Sequence, residues 1–169
     1  MPNKLSELVV RVKACELNEL SSLELMFEHI ASVHHYIYYA SEQDRTTAEY
    51  KEQCAYYFVL IITYLARVGA LNDVLFTGLD NIDEAIKFST AETGIEYKDV
   101  NRKVATYEML GELANITWHF SVGSEPIVEE YKLRVVMLTL ACALNYEVRS
   151  TTDANLADLV EEFLTKRGK

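Results

Sequence analysis

The sequence predicts an all-α helical bundle, and three observations carry that prediction. Only 2 Pro and 6 Gly occur in 169 residues, so few positions break a helix. Apolar residues recur at i, i+3, i+4 and i+7 along most of the chain, and no stretch has the alternation a strand requires. Half the residues are hydrophobic, enough to fill a core without disulfides or a structural metal. The expected organisation is a single all-α domain over residues 1–169: an N-terminal helix over 3–19, followed by two similar halves at 21–88 and 98–167.

Each expected element has a local cause. Asn3 caps the first helix, and Leu5, Leu8, Val9 and Val12 form its apolar face. Ser21 or Ser22 caps the next, which runs to about Ala40 on a stripe of Leu23, Met26, Phe27, Ile30 and Val33 or His34. His34, His35, Tyr36, Tyr38 and Tyr39 crowd its end, as a polar rim or as a place for a base or metal. Thr46 with Glu49 resembles a capping box for a long helix. That helix is apolar nearly all round from Cys54 to Leu65, so it should lie at the centre. Its tyrosines, Tyr56, Tyr57 and Tyr64, are expected in the core with hydroxyls reaching the edge. Gly69 stops it, and a shorter helix starts at Asp80 or Asn81. Ser89–Tyr97 is the best linker. Helices then follow from about Lys98 to Phe120, closed by Gly123, and from Pro126 through the apolar run Val135–Leu144. Ser150, Thr151 and Thr152 offer the last cap, before a stripe of Leu156, Leu159, Val160, Phe163 and Leu164.

Charge and cysteines narrow the function. The net charge is −10, from 16 basic and 26 acidic residues. That argues against a nucleic-acid backbone as ligand and suits a cation or a basic protein partner, although plain solubility explains it equally well. Cys15, Cys54 and Cys142 are dispersed with no CxxC, which suits the cytoplasm. The longest strongly apolar run, Cys54–Ala66, falls well short of the roughly 20 residues that a membrane span requires. No P-loop, GxGxxG, HExxH or nucleophile triad is present.

The residues with the most chemical promise lie between Tyr107 and Phe163. One helix carries Glu108 and Glu112, the next opens with Glu129 and Glu130, and a third contributes Asn155. Facing carboxylate helices of this kind hold Mg²⁺ near phosphates, or they are simply solvated faces. A faint internal repeat runs beneath them. Setting Glu24 on Glu108 also sets Glu28 on Glu112 and His35 on His119; further along, Lys51 falls on Lys132 and Asn81 on Asn155. A tandem duplication would pack the halves about a pseudo-twofold axis, leaving the chain a monomer or a homodimer.

The stretch from Gly111-Glu112-Leu113 through His119 and Gly123 to Leu140-Ala141, Leu144-Asn145 and Asn155-Leu156 resembles the MazG-like, all-α nucleoside triphosphate pyrophosphohydrolases. The resemblance implies Mg²⁺-dependent cleavage of an NTP or dNTP to the monophosphate and pyrophosphate. It makes Glu108, Glu112 and Glu129 the metal ligands and Glu112 a catalytic carboxylate; Lys132, which is not in the family pattern, is the second catalytic candidate, taking the place of one metal ion and contacting phosphate directly. Trp118, His119, Asn155 and His35 become the nucleotide contacts. The chain departs from the family's two motifs. Met109 stands three residues before Glu112, and Lys132 stands where the second motif has Asp. Replacing Asp by Lys changes the local charge by two units, and one unit charge at 4 Å is worth roughly 4 kcal/mol at an effective dielectric near 20. Two alternatives stand beside the enzyme: a relative on the same scaffold that has lost catalysis and binds a nucleotide or a basic partner, and, unrelated to that family, an acidic helical protein that binds and regulates a protein partner, as phage- or plasmid-type inhibitors of host factors do.

Overall fold

The computed structural model describes residues 22–68, 102–123 and 126–167, without the side chains of 102 and 126–131. The expected helix at 3–19, the linker, and the Gly69 and Asn81 signals lie outside those residues.

Every described element is helical, and the first begins where a cap was expected. The Ser22 side chain accepts the Leu25 N–H at 3.1 Å and opens α1, Leu23–Tyr38. Its apolar stripe buries Met26, Ile30, Val33, His34 and Ile37. The Tyr39 N–H bonds back to the His35 carbonyl at 3.0 Å and ends it. A single 3-10 turn follows at Asp44–Thr46, so the next cap is Thr47 and not Thr46: its hydroxyl accepts the Tyr50 N–H at 3.1 Å. From there α2 runs over Ala48–Arg67.

The second helix is the axis of the bundle. Cys54, Ala55, Tyr57, Phe58, Val59, Leu60, Ile61 and Ile62 are buried on successive sides of it, because α1, α4 and α5 all pack against it. At about 1.5–3 kcal/mol for each large side chain taken from water, this one run is a leading source of folding energy. Tyr57 and Tyr64 lie in the core as expected, but their hydroxyls do not reach its edge. Both residues are fully buried, and the Tyr64 hydroxyl meets the buried Thr117 hydroxyl at 2.6 Å and not the solvent.

Arg102–Ser121 forms α3, which packs on α1 and α4. It closes at Gly123, whose φ of +76° lies in the left-handed region that glycine enters without steric cost. The longest helix, α4, spans Pro126–Thr151 and buries Leu133, Val136, Met137, Leu140, Leu144 and Val148. It ends at Thr151, and Ser150–Thr152 do not cap the helix that follows. Their hydroxyls donate back to the carbonyls of Tyr146, Glu147 and Val148 at 2.6–2.7 Å, and the Thr152 hydroxyl also accepts the Ala154 N–H at 3.1 Å in the turn. The last cap is Asn155, whose carbonyl oxygen accepts the Ala157 N–H at 2.8 Å and starts α5, Leu156–Lys166. No helix among the described residues is long and apolar enough to cross a membrane.

Candidate functional site

Two helices meet where the sequence placed its chemistry, but they meet through an ion pair. Glu108 and Glu112 stand one turn apart on α3, and α4 lies alongside. The Lys132 ammonium reaches across from α4 and sits 2.8 Å from Glu112 Oε2, with both side chains a little under half exposed. Water screens such a pair, so its own contribution to stability is at most about 1 kcal/mol. Its chemical effect is larger. A cation already holds the central carboxylate of the expected metal site. Among the described residues no group of three His, Cys, Asp or Glu converges as metal ligands would. The described part of the expected donor set is two carboxylates, Glu108 and Glu112, the second of them paired with Lys132. The Glu129 side chain lies outside the described atoms.

The expected nucleotide contacts are not brought together. Trp118 projects from the C-terminal end of α3 with 60 % of its surface exposed, and the His119 ring stands edge-on to it at 5.1 Å. His35, on α1, lies by the other end of α3, where its Nδ1 is 3.4 Å from the Tyr107 hydroxyl. From Tyr107 to Trp118 is three turns, about 16 Å at 1.5 Å per residue. Asn155 is further still. It follows the C-terminus of α4, roughly 28 Å along the helix from Lys132, and its side-chain oxygen is taken up by the cap.

Two buried polar features lie away from the expected site. The first is the pair between Arg45, in the 3-10 turn, and Glu147 on α4. The Glu147 side chain is 3 % exposed and Arg45 14 %. The Arg45 Nε also donates to the Ala40 carbonyl at 3.1 Å, and its guanidinium lies 5.8 Å from the Tyr50 ring centre. This pair fastens the α1–α2 connection to α4. A signal was available: Glu147 falls three, four and seven residues after Leu144, Ala143 and Leu140, so it sits on the apolar face. Beside the pair lies an open groove with lobes of about 480 and 530 Å³, bordered by Arg45, Lys51, Ser150, Thr151 and Asp153. It is poorly equipped for an anion. Arg45 is paired with Glu147, Lys51 has Asp153 at 3.5 Å, and the hydroxyl protons point back into α4.

The second feature is His34. It is fully buried, and neither ring nitrogen has a hydrogen-bond partner. Its ring is held by Tyr38 at 4.5 Å, Tyr57 at 5.8 Å and Tyr107 at 4.4 Å, the last edge-on. Burial, helped by the neighbouring His35, pushes its pKa down to about 4. Burial likewise pushes the Cys54 thiol up to about 12. A charged imidazole has no place among these rings, so His34 is a neutral core residue.

No family model, curated protein or solved structure matches the chain.

Proposed function

We propose that this chain is a non-catalytic acidic helical protein that works by binding a basic protein partner, on a scaffold similar to that of the MazG-like pyrophosphohydrolases. One observation carries the reading: the 2.8 Å ion pair of Lys132 with Glu112. In the family pattern that position bears an Asp that helps hold Mg²⁺. Here the ammonium supplies internally the positive charge that a metal would bring. The scattering of Trp118, His35 and Asn155 over the molecule supports the same reading, because a nucleotide pocket needs convergent groups. The net charge of −10 supports a basic partner.

Two subsidiary readings go with it. The hairpin of α1 on α2 beside the hairpin of α3 on α4, with α1 against α3 and α2 against α4, is the arrangement a tandem duplication would produce. The buried, dispersed cysteines Cys54 and Cys142 support a reducing compartment such as the cytoplasm.

The test is pyrophosphate release, measured with a coupled pyrophosphatase over a panel of NTPs and dNTPs with Mg²⁺ or Mn²⁺. The expected result is no turnover by the natural chain. Turnover that disappears in Glu112→Gln would overturn the proposal and return the chain to the enzymes. Isothermal titration with Mg²⁺ gives an independent reading. The natural chain should show no binding, and Lys132→Asp, which restores the family's acid, should bind more tightly than the natural chain.

A further inference from the structure

The outward face of α3 is unlike any other exposed surface described. Val104, Glu108, Gly111, Asn115, Trp118 and Val122 are all exposed, and they succeed one another in steps of 4, 3, 4, 3 and 4. That alternation is a heptad seam, the row along which a second helix packs. The helical register runs to its end, because the Val122 N–H still bonds the Trp118 carbonyl at 3.1 Å. Of the four large hydrophobic side chains most exposed among the described residues, this row holds three: Val104, Trp118 and Val122.

Gly111 stands at the middle of the seam and has no internal explanation. It lies within a 20-residue helix, where only proline is a poorer choice. A Cβ added there would meet nothing within 4 Å, and its φ is not positive, so neither close packing inside the protein nor backbone geometry requires glycine. What a bare Cα on an outward face does permit is the close approach of another helix axis. Large apolar residues at the two ends and a notch between them fit a helix lying along the row.

The charges select the occupant. Glu108 is on the seam itself, and Glu24 and Glu28 of α1 are exposed. The Ser121 hydroxyl, at the end of α3, donates to the Glu24 carboxylate, which places that acid beside the Trp118 end. Among the described side chains the nearby cations are engaged: Lys132 with Glu112, and Lys103 over the Tyr39 ring at 5.0 Å. A second copy of this chain would bring like charges to the seam, whereas a helix bearing Lys or Arg would find partners.

The geometry points to α3 as the docking seam for one helix of a basic protein. That helix would lie along Val104–Val122 with a small residue against Gly111 and a cation facing Glu108. This inference rests on the partner-binding reading and specifies the surface and the chemistry of what it binds.

Trp118 is the chain's single tryptophan and sits on the seam, so the full-length protein carries its own reporter. The probes are two synthetic helical peptides of α3's length with the same Leu/Ala seam, one with Lys and one with Glu at the flanking positions. In the free chain, Trp118 should emit as a water-exposed indole and be readily quenched by acrylamide. The Lys peptide should shift that emission to the blue with saturation, at least tenfold more tightly than the Glu peptide. Gly111→Leu should weaken the Lys peptide at least tenfold with unchanged helical circular dichroism. Glu108→Gln should weaken it and flatten its dependence on salt.

Equal binding of the two peptides, no binding of either up to millimolar peptide, or indifference to Gly111→Leu would overturn the assignment. Buried emission in the dilute free chain would do the same, since the seam would already be covered. Sedimentation velocity should find a monomer; a dimer dissolved by Gly111→Leu would give the seam to a second copy instead. The two proposals fail separately. Nucleotide turnover removes the non-catalytic reading and leaves the peptide result standing, whereas failed peptides without turnover remove only the seam.

Discussion

Acid should destabilise this protein through one imidazole, and His34→Phe should isolate the effect. In the fold His34 is fully buried with both nitrogens lacking partners, and its pKa is pushed down to about 4 from an ordinary value of 6.5. The groups around it are Tyr38 and His35 on α1, Tyr57 on α2 and Tyr107 on α3; no carboxylate is among its ring contacts. The sign follows from linkage. The unfolded chain takes up the proton near pH 6.5 and the folded one only near pH 4, so acidification favours unfolding across that window. Well above pH 6.5 His34 is neutral in both states and its contribution no longer varies with pH. The full displacement corresponds to roughly 3 kcal/mol, a large part of the 5–15 kcal/mol that holds a typical domain together. Phe fills much the same space and cannot be protonated. Urea unfolding of both proteins at intervals from pH 7.5 to pH 4 separates this term from the carboxylates, which titrate alike in the two. The stability difference should move in favour of His34→Phe by about 2–3 kcal/mol as pH falls from 7 to 4.5. Parallel pH profiles, with a constant offset, would refute the reasoning.

Three further outcomes are expected. Gly111→Ala should stabilise the free chain by about 1 kcal/mol, a rise of roughly 2–4 °C in Tm by calorimetry, because the added methyl meets nothing and mid-helix glycine is costly. Arg45→Leu should cost about 3–5 kcal/mol in urea unfolding by leaving the Glu147 carboxylate in the core without its guanidinium. Combining it with Glu147→Leu should recover most of that loss, and additive losses would contradict the coupling. Asn155→Ala should remove about 1 kcal/mol of stability through the lost cap. Asn155→Asp, which keeps an acceptor, should cost only a few tenths by the same measurement.

The fold was legible because the signals that make helices are local. The apolar run Cys54–Leu65 announced a helix covered on several sides, and α2 is that helix. Ser22 behaves as the cap its position suggested, whereas Thr46 was one residue early because a 3-10 turn intervenes. Ser150–Thr152 misled for a physical reason: the hydroxyls that cap a helix when its backbone is free also back-bond within one. The site was less legible. Glu112 and Lys132 were singled out and do meet, yet only coordinates reveal that they meet each other. Nothing local marks Arg45, since its partner lies 102 positions away. Periodicity placed His34 or Val33 on the buried stripe, and the structure buries both. It gave no means of knowing that three tyrosine rings enclose the imidazole.

The row of tyrosines on α2 has one last consequence. Tyr50, Tyr57 and Tyr64 recur every seventh residue, and all are fully buried. Their phenols run the length of the core beside groups they cannot exchange: Arg45 over Tyr50, His34 by Tyr57, Thr117 on the Tyr64 hydroxyl. An oily helix in an oily bundle can slide by one turn, about 5.4 Å, at little cost. This one is held, because the Tyr64 hydroxyl would leave Thr117 and forfeit about 1–3 kcal/mol, and the Tyr50 and Tyr57 rings would leave the Arg45 guanidinium and His34 ring beside them. The axis of the bundle is thereby indexed, like a ruler with three marks. The Arg45 anchor at one end and the Thr117 contact at the other keep a fixed separation, whatever occupies the outside of α3.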